Sequence, residues 1–202
     1  MSVDADRLEA WNRGDRSAGE ALFDTYFDRV YAFFASKVRG GVDDLTQETF
    51  LACVEQRFKL RDASSFEAFL FGVARRRLYR RWRDEYSGPG VLDVTVRSVA
   101  DIVPSPSTHL RAEKQASALL DALRHLPAEL HVAVELYYWE GFTTVQIAEV
   151  LEIPEGTSRS RLRRARERLR DLLEQRGVRG DSVEEHFRRA RHVWFGHDDD
   201  ST

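Results

Sequence analysis

At 202 residues the chain has room for one or two domains with a core of their own. Lys and Arg number 31 against 34 Asp and Glu, a net charge of −3, which excludes a uniformly basic nucleic-acid coat and makes the placement of charge informative. A lone cysteine, Cys53, excludes an internal disulfide framework and fits a reducing cytoplasm, and there is neither a signal-peptide pattern nor an apolar run long enough to span a membrane.

Residues 4–86 read as a helical domain. Leu8 and Trp11 sit on a first helix that Gly14 interrupts. Ala21, Leu22, Tyr26, Val30, Tyr31, Phe33 and Phe34 then form an aromatic-heavy helical pattern up to Gly40 and Gly41. Asp43 and Asp44 open a helix of about fifteen residues, where their charge complements the N-terminal dipole. On it Asp44, Glu48 and Glu55 share one face with Gln47 beside them, while Phe50, Leu51, Val54 and Phe58 are expected to pack inward. An acidic stripe can dock a basic partner, and spacing alone fits a solvated face equally well. Arg61 to Ser65 are expected as a loop. Phe66 starts a further helix carrying Phe69, Leu70, Val73 and Ala74 inward.

That helix ends in ARRRLYRRWR, residues 74–83. Arginines interleaved with aromatic rings suit a nucleic-acid strand, guanidinium to phosphate and ring to unstacked base. Arg75, Arg76, Tyr79, Arg80 and Trp82 are the candidates, with Arg77 and Arg81 near the buried seam. Residues 87–110 change character. Gly-Pro-Gly and Pro-Ser-Pro break any helix, and the segment is expected to be an extended linker.

A second helical domain is expected over 111–176, with Leu119, Leu123, Leu126, Val132, Val134 and Leu136 beneath a helix-turn-helix at 141–170. Thr143 and Gln146 have the spacing of a capping box, and Pro154 with Gly156 marks the turn. In the second helix Leu162, Ala165 and Leu169 form a narrow inward seam. Seven arginines flank it, at 159, 161, 163, 164, 166, 168 and 170, and Ser160 and Glu167 point most directly away. A solvated surface helix would interleave more acids, and this run holds one, Glu167. The pattern suits the DNA major groove, with the first turns reaching base edges.

Residues 177–202 form a tail with one short helix ending in Val193, Trp194 and Phe195, expected to dock on this protein or on a regulator. His186, His192 and His197 are spaced too widely for one helical face, so no metal site or cofactor is expected. Cys53 reads as a core residue and not a nucleophile, no Gly-rich phosphate loop occurs, and no catalytic residue is assigned.

Several of these segments occur in a telling order: Trp11 with Gly14-Asp15, then Asp44-Leu45-x-Gln47-Glu48-x-Phe50, then Phe69-Leu70-x-x-Val73-Ala74-Arg75. Leu126-Pro127, Ile147-Ala148 and Ile153-Pro154-x-Gly156-Thr157-x-Arg159-Ser160-Arg161-Leu162-x-Arg164-Ala165-Arg166 follow. Over residues 7–173 the chain resembles extracytoplasmic-function sigma factors of the sigma-70 family, promoter-specificity subunits of bacterial RNA polymerase. The resemblance implies an all-α fold with sigma region 2 (4–86), a flexible linker (87–110), region 4 (111–176) and a C-terminal helical extension (177–202).

The same resemblance implies the partners. Asp44, Gln47 and Glu48 would bind the polymerase clamp, Arg75, Arg76, Tyr79, Arg80 and Trp82 would hold the melted −10 strand, and region 4 would rest on the polymerase flap. Thr143, Thr144, Arg159, Ser160, Arg163 and Arg164 fall at its −35-contacting positions, and an anti-sigma factor is a further partner it allows. Such a protein acts in the cytoplasm, beside the nucleoid when bound to polymerase, inserts in no membrane and is not an enzyme. Two positions depart from the family pattern: Arg76 stands where relatives commonly carry Asn, and Ser158 replaces a β-branched apolar residue. The alternative is a helix-turn-helix regulator that does not bind core polymerase.

Overall fold

The structure is a computed structural model, and it describes residues 3–56, 58, 66–86, 97–102, 114–178 and 182–195. Every regular element among them is a helix. The first four are α1 (Val3–Asn12), α2 (Arg16–Ala35), α3 (Val42–Gln56) and α4 (Phe66–Tyr86). A single turn, α5 (Val99–Ile102), leads to α6 (Lys114–Arg124), α7 (Ala128–Tyr138), α8 (Thr144–Leu151), α9 (Glu155–Gln175) and α10 (Val183–Phe195).

Local chemistry sets the boundaries. Asp15 caps α2, its carboxylate accepting from the Ser17 and Ala18 N–H groups at 3.0 and 3.4 Å. Trp11 lies flat on α2 where residue 19 is glycine, and a methyl group there would come within 2.5 Å of the indole nitrogen. Only a residue without Cβ lets α1 pack this closely. Asp43 and Asp44 occupy the first turn of α3 as expected.

Burial falls into two clusters. The larger joins α1–α4 through Leu22, Phe34, Leu70 and Trp82 and runs on into α7 and α8 through Val132, Leu136, Ile147 and Val150. Phe71 of α4 links the two sides, edge-on to Phe33 at 5.7 Å and to Phe142 at 5.4 Å. The smaller cluster gathers Leu119, Leu123, Val134, Leu169 and Leu173 with Val183, Phe187 and Ala190 of α10. Each such large apolar side chain contributes on the order of 2 kcal/mol by leaving water. The helices before and after the 87–110 stretch therefore share one core in this structure.

Two expectations change. Leu51 and Phe58 are exposed at 58% and 64% instead of packing inward. In α3 the inward face is set by Leu45, Phe50, Ala52 and Cys53, which turns Leu51 outward. Part of the stretch expected as extended linker is also structured: Val99 is buried, its N–H donates to the Leu126 carbonyl at 3.2 Å, and the Ala128 N–H donates to the Arg97 carbonyl at 2.8 Å. Residues 87–96 and 103–110, the expected loop 61–65 and the side chains of Val193, Trp194 and Phe195 lie outside the described residues.

Candidate nucleic-acid interface

The helix-turn-helix is built as its sequence dictates. Thr143 and Gln146 cap α8 reciprocally: the Thr143 N–H donates to Gln146 Oε1 at 2.9 Å, and the Gln146 N–H to Thr143 Oγ1 at 3.3 Å. Glu152 closes α8 in the left-handed conformation at φ 55°. Pro154 precedes α9, and the Thr144 hydroxyl crosses the turn to Glu155 at 3.1 Å.

On α9 Leu162, Ala165 and Leu169 are buried as one inward seam, and Arg159, Arg163, Arg164, Glu167 and Arg168 are exposed. Arg159, Arg163 and Arg164 are exposed and held only by loose ion pairs, to Glu155 at 3.7 Å, Glu167 at 3.5 Å and Glu129 at 3.9 Å. Ser160 is half-buried and donates to the Thr157 carbonyl at 2.8 Å. Thr143 is exposed and Thr144 half-buried at the N-terminus of α8.

Two of the seven arginines serve the fold instead. Arg161 pairs with Glu129 at 2.6 Å. Arg166 donates through Nε to the Tyr138 hydroxyl at 2.8 Å, lies over the Tyr137 ring and faces Glu184 of α10. Arg166 stands four residues beyond Leu162, one helical turn along the seam, a spacing that marks it as inward-leaning.

The basic end of α4 is arranged differently. Trp82 is fully buried and its indole N–H donates to the Lys37 carbonyl at 3.0 Å, so it is a core residue and cannot receive a base in this structure. It stands four residues beyond the buried Leu78, one helical turn along the same seam. Tyr79 is half-buried and stacks on Trp82 with ring centroids 5.5 Å apart. Arg75 is 9% exposed, donating to the Leu151 carbonyl at 2.8 Å and pairing with Glu152 at 2.9 Å. Arg76 is exposed and pairs with the same carboxylate at 2.6 Å. Burial disfavours the Glu152 charge, but the hydrogen bonds and charges of Arg76 and Arg75 outweigh it and hold the carboxyl below the usual range. Arg77 pairs with Glu48 and Arg81 with Glu85, whereas Arg80 is exposed.

On α3 Asp44, Gln47 and Glu48 are all exposed. Exposed Phe27, Tyr31 and Leu51 add apolar surface on α2 and α3, with Phe27 stacked between Tyr31 at 6.3 Å and Phe50 at 6.1 Å. The aromatic helical pattern of α2 includes Tyr31 and passes over Phe27, and only packing shows that both rings face out.

Deeper charges tie the two halves together. Arg29 of α2 reaches Glu140 at 2.7 Å and also pairs with Glu67, and the buried Lys37 ammonium pairs with Glu135 of α7. His131 completes that group, its Nε2 3.0 Å from Glu135 and its Nδ1 2.8 Å from the Leu123 carbonyl oxygen. Among the described residues no His, Cys, Asp and Glu cluster could hold a metal, and no helix is long and apolar enough to cross a membrane.

Comparison with known proteins bears on this geometry. Residues 22–87 match sigma-70 region 2 and residues 116–169 match sigma-70 region 4. The sigma factor CarQ of Myxococcus xanthus is 31% identical over 175 residues, covering 82% of this chain and 95% of its own. The chain belongs to the sigma-70 family.

Within that family it is an extracytoplasmic-function sigma factor, a promoter-specificity subunit of RNA polymerase. The extracytoplasmic-function sigma-E factor of Haemophilus influenzae is 24% identical over 176 residues, covering 83% of this chain and 93% of its own. Two solved structures share the fold. CnrH, in complex with the cytosolic domain of CnrY, aligns with a TM-score of 0.62 at 20% identity over 86% of this chain and 99% of its own. RpoE of Bartonella quintana, in complex with the anti-sigma factor NepR, aligns at 0.57 and 23% over 77% of this chain and 96% of its own.

Proposed function

We propose a division of labour for this sigma factor among three surfaces. Helix α9 reads the −35 duplex from the major groove through Arg159, Ser160, Arg163 and Arg164, while Thr143 and Thr144 at the N-terminus of α8 meet the phosphate backbone. The observation that carries this reading is the set of exposed arginines on α9, loosely paired, on a helix that buries one inward seam. Arg76, Tyr79 and Arg80 of α4, joined by Arg75 once it is released from Leu151 and Glu152, hold the melted −10 strand by phosphate and stacking contacts. Trp82 supports them from within.

Asp44, Gln47 and Glu48 grip the clamp of core polymerase, and exposed Phe27, Tyr31 and Leu51 supply an apolar contact next to that charge. Region 4 rests on the flap. An anti-sigma factor holds the protein inactive, by analogy with the complex of the Bartonella relative. The chain works in the cytoplasm on polymerase and promoter DNA, needs no cofactor and catalyses no reaction of its own. Its working units are 4–86, 111–176 and the extension 177–202, with 87–110 between the first two.

The test is in vitro transcription with core polymerase on a promoter library, followed by Arg159→Ala and Arg164→Ala on the selected promoter. Each is expected to lower −35 recognition by about 1–3 kcal/mol. Unchanged transcription with both substitutions would overturn the assignment. Failure to bind core polymerase in a pull-down would overturn the clamp surface.

A further inference from the structure

We propose that α10 belongs to the promoter-reading unit, an inference that rests on the −35 role proposed above for α9. Within that unit Glu184 and Tyr138 are positioning residues that set the pose of the recognition helix.

The sequence sets residues 177–202 apart as a tail, yet α10 is built into the core of the helix-turn-helix half. The Ser182 hydroxyl accepts from the Glu185 N–H at 3.2 Å and caps its first turn. Val183, Phe187 and Ala190 are buried in one cluster with Leu123 of α6 and with Leu169, Leu172 and Leu173 of α9. A helix that only trailed the domain would leave these side chains in water.

Beside this packing, three polar groups from three helices are chained together. Tyr138, the last residue of α7, donates its hydroxyl proton to Glu184 of α10 at 2.7 Å. The same oxygen accepts from Arg166 Nε of α9 at 2.8 Å, and that nitrogen stands 3.5 Å from the Glu184 carboxylate. A phenol has one proton, so the acceptor of that proton decides where its lone pairs point. With Glu184 as acceptor they face Arg166. The bond from Tyr138 holds the Glu184 carboxyl below its usual range, and burial with that same bond pushes the Tyr138 phenol up to about 12. Donor and acceptor therefore keep these roles near neutral pH.

Arg166 is placed to pass this order on. It lies three residues after Arg163 and seven after Arg159, on the ridge of α9 that carries both. Nearer its start, α9 is tied to α7 by Arg161 and Glu129 at 2.6 Å. Glu129 and Tyr138 stand near opposite ends of α7, about 13 Å apart along its axis. Two ties that far apart, together with the buried seam, fix both the tilt and the roll of α9. The second tie depends on α10.

The test uses holoenzyme reconstituted from core polymerase and the full chain. Two templates share a −10 element, and one carries the −35 element selected in the library while the other has it scrambled. The ratio of their transcripts measures −35 reading, and the scrambled template alone reports on folding and polymerase binding. Tyr138→Phe deletes the hydroxyl and keeps a ring to stack on Phe187, which lies 4.2 Å from the Tyr138 centroid. Glu184→Ala deletes the acceptor. Glu184→Gln makes the same change in charge but still offers an oxygen to Tyr138. Tyr138→Phe and Glu184→Ala are each expected to lower the ratio about tenfold, with the scrambled template unchanged. Glu184→Gln should keep most of the ratio, and the Tyr138→Phe, Glu184→Ala pair should lose no more than either alone.

An unchanged ratio in both single variants overturns the positioning role. A ratio that rises, the sign of a helix that masks α9, overturns it as well, and so does an equal loss on both templates, the sign of a folding defect. Arg159→Ala and Arg164→Ala test the underlying reading in the same assay. If they leave the ratio unchanged while Tyr138→Phe lowers it, the base contacts of those arginines fall and the positioning role stands.

Discussion

Lys37, in the turn that follows α2, and Glu135 of α7 form an ion pair with both side chains shut off from water. Burial pulls the Lys37 ammonium below its usual range and Glu135 works against that. The Glu135 carboxyl is held low because Lys37 and His131 outweigh its own burial. Removing one partner strands a charge in the core. Lys37→Met is expected to cost about 3–5 kcal/mol in urea denaturation, and Lys37→Met with Glu135→Gln to recover most of it. A single variant as stable as the parent would show that the pair is not desolvated.

Ser158 predicts the opposite sign. It is fully buried at the start of α9, and its hydroxyl meets no hydrogen-bond partner among the described residues. Ser158→Ala removes that group and improves helix propensity, so the midpoint of chemical denaturation should rise by the equivalent of about 1 kcal/mol.

Cys53 is inert while the chain is folded. Burial pushes its thiol up to about 12, with the Arg76 charge opposing weakly. Because the folded value lies above the unfolded one near 9, the protonated thiol favours folding below pH 9, and this contribution is lost as pH rises toward 12. Alkylation by iodoacetamide at pH 8 should therefore be slow for native protein and fast in denaturant. Rapid native alkylation would mean that α3 opens locally.

Phe187 anchors the C-terminal helix. Its ring stacks on Tyr138 at 4.2 Å and meets Trp139 at 5.5 Å. Phe187→Ala should weaken docking of α10 by about 3 kcal/mol, read as faster amide exchange across 183–190 with the exchange of α2 unchanged. Uniform acceleration in both helices would mean that α10 unfolds only with the whole molecule.

Asp44 and Glu48 are exposed, so Asp44→Ala with Glu48→Ala should leave the melting temperature within about 2 °C, as for other surface changes. The same double variant should lose competition for core polymerase against an unmodified sigma factor. Retained competition would move the clamp contact elsewhere, with the exposed aromatic pair Phe27 and Tyr31 next to be substituted.

Much of this was readable in the chain. The Thr143 and Gln146 capping box, the Leu162–Ala165–Leu169 seam and the α3 start at Asp43 and Asp44 depend on contacts within one or two helical turns, which spacing encodes directly. Trp82 was misread because an aromatic among arginines looks the same from sequence whether it faces a base or a core. The partner that decides, the Lys37 carbonyl, lies 45 residues away. Leu51 and Phe58 failed for a related reason: an apolar residue signals burial only against a neighbour, and Ala52 and Cys53 took the inward positions. The Glu152 bridge to Arg76 spans 76 residues and that to Arg75 one more, and no periodicity within a helix could reveal them.

The opposite treatment of the two basic helices has a kinetic consequence. Arginines of α9 face solvent while Arg75 of α4 is occupied. With α9 as the duplex reader proposed above, such a chain meets intact double helix before Arg75 has left Leu151 and Glu152. Commitment to a start site would then wait for an event that pulls the halves apart, which makes the order of contacts, and not their strength alone, a source of fidelity.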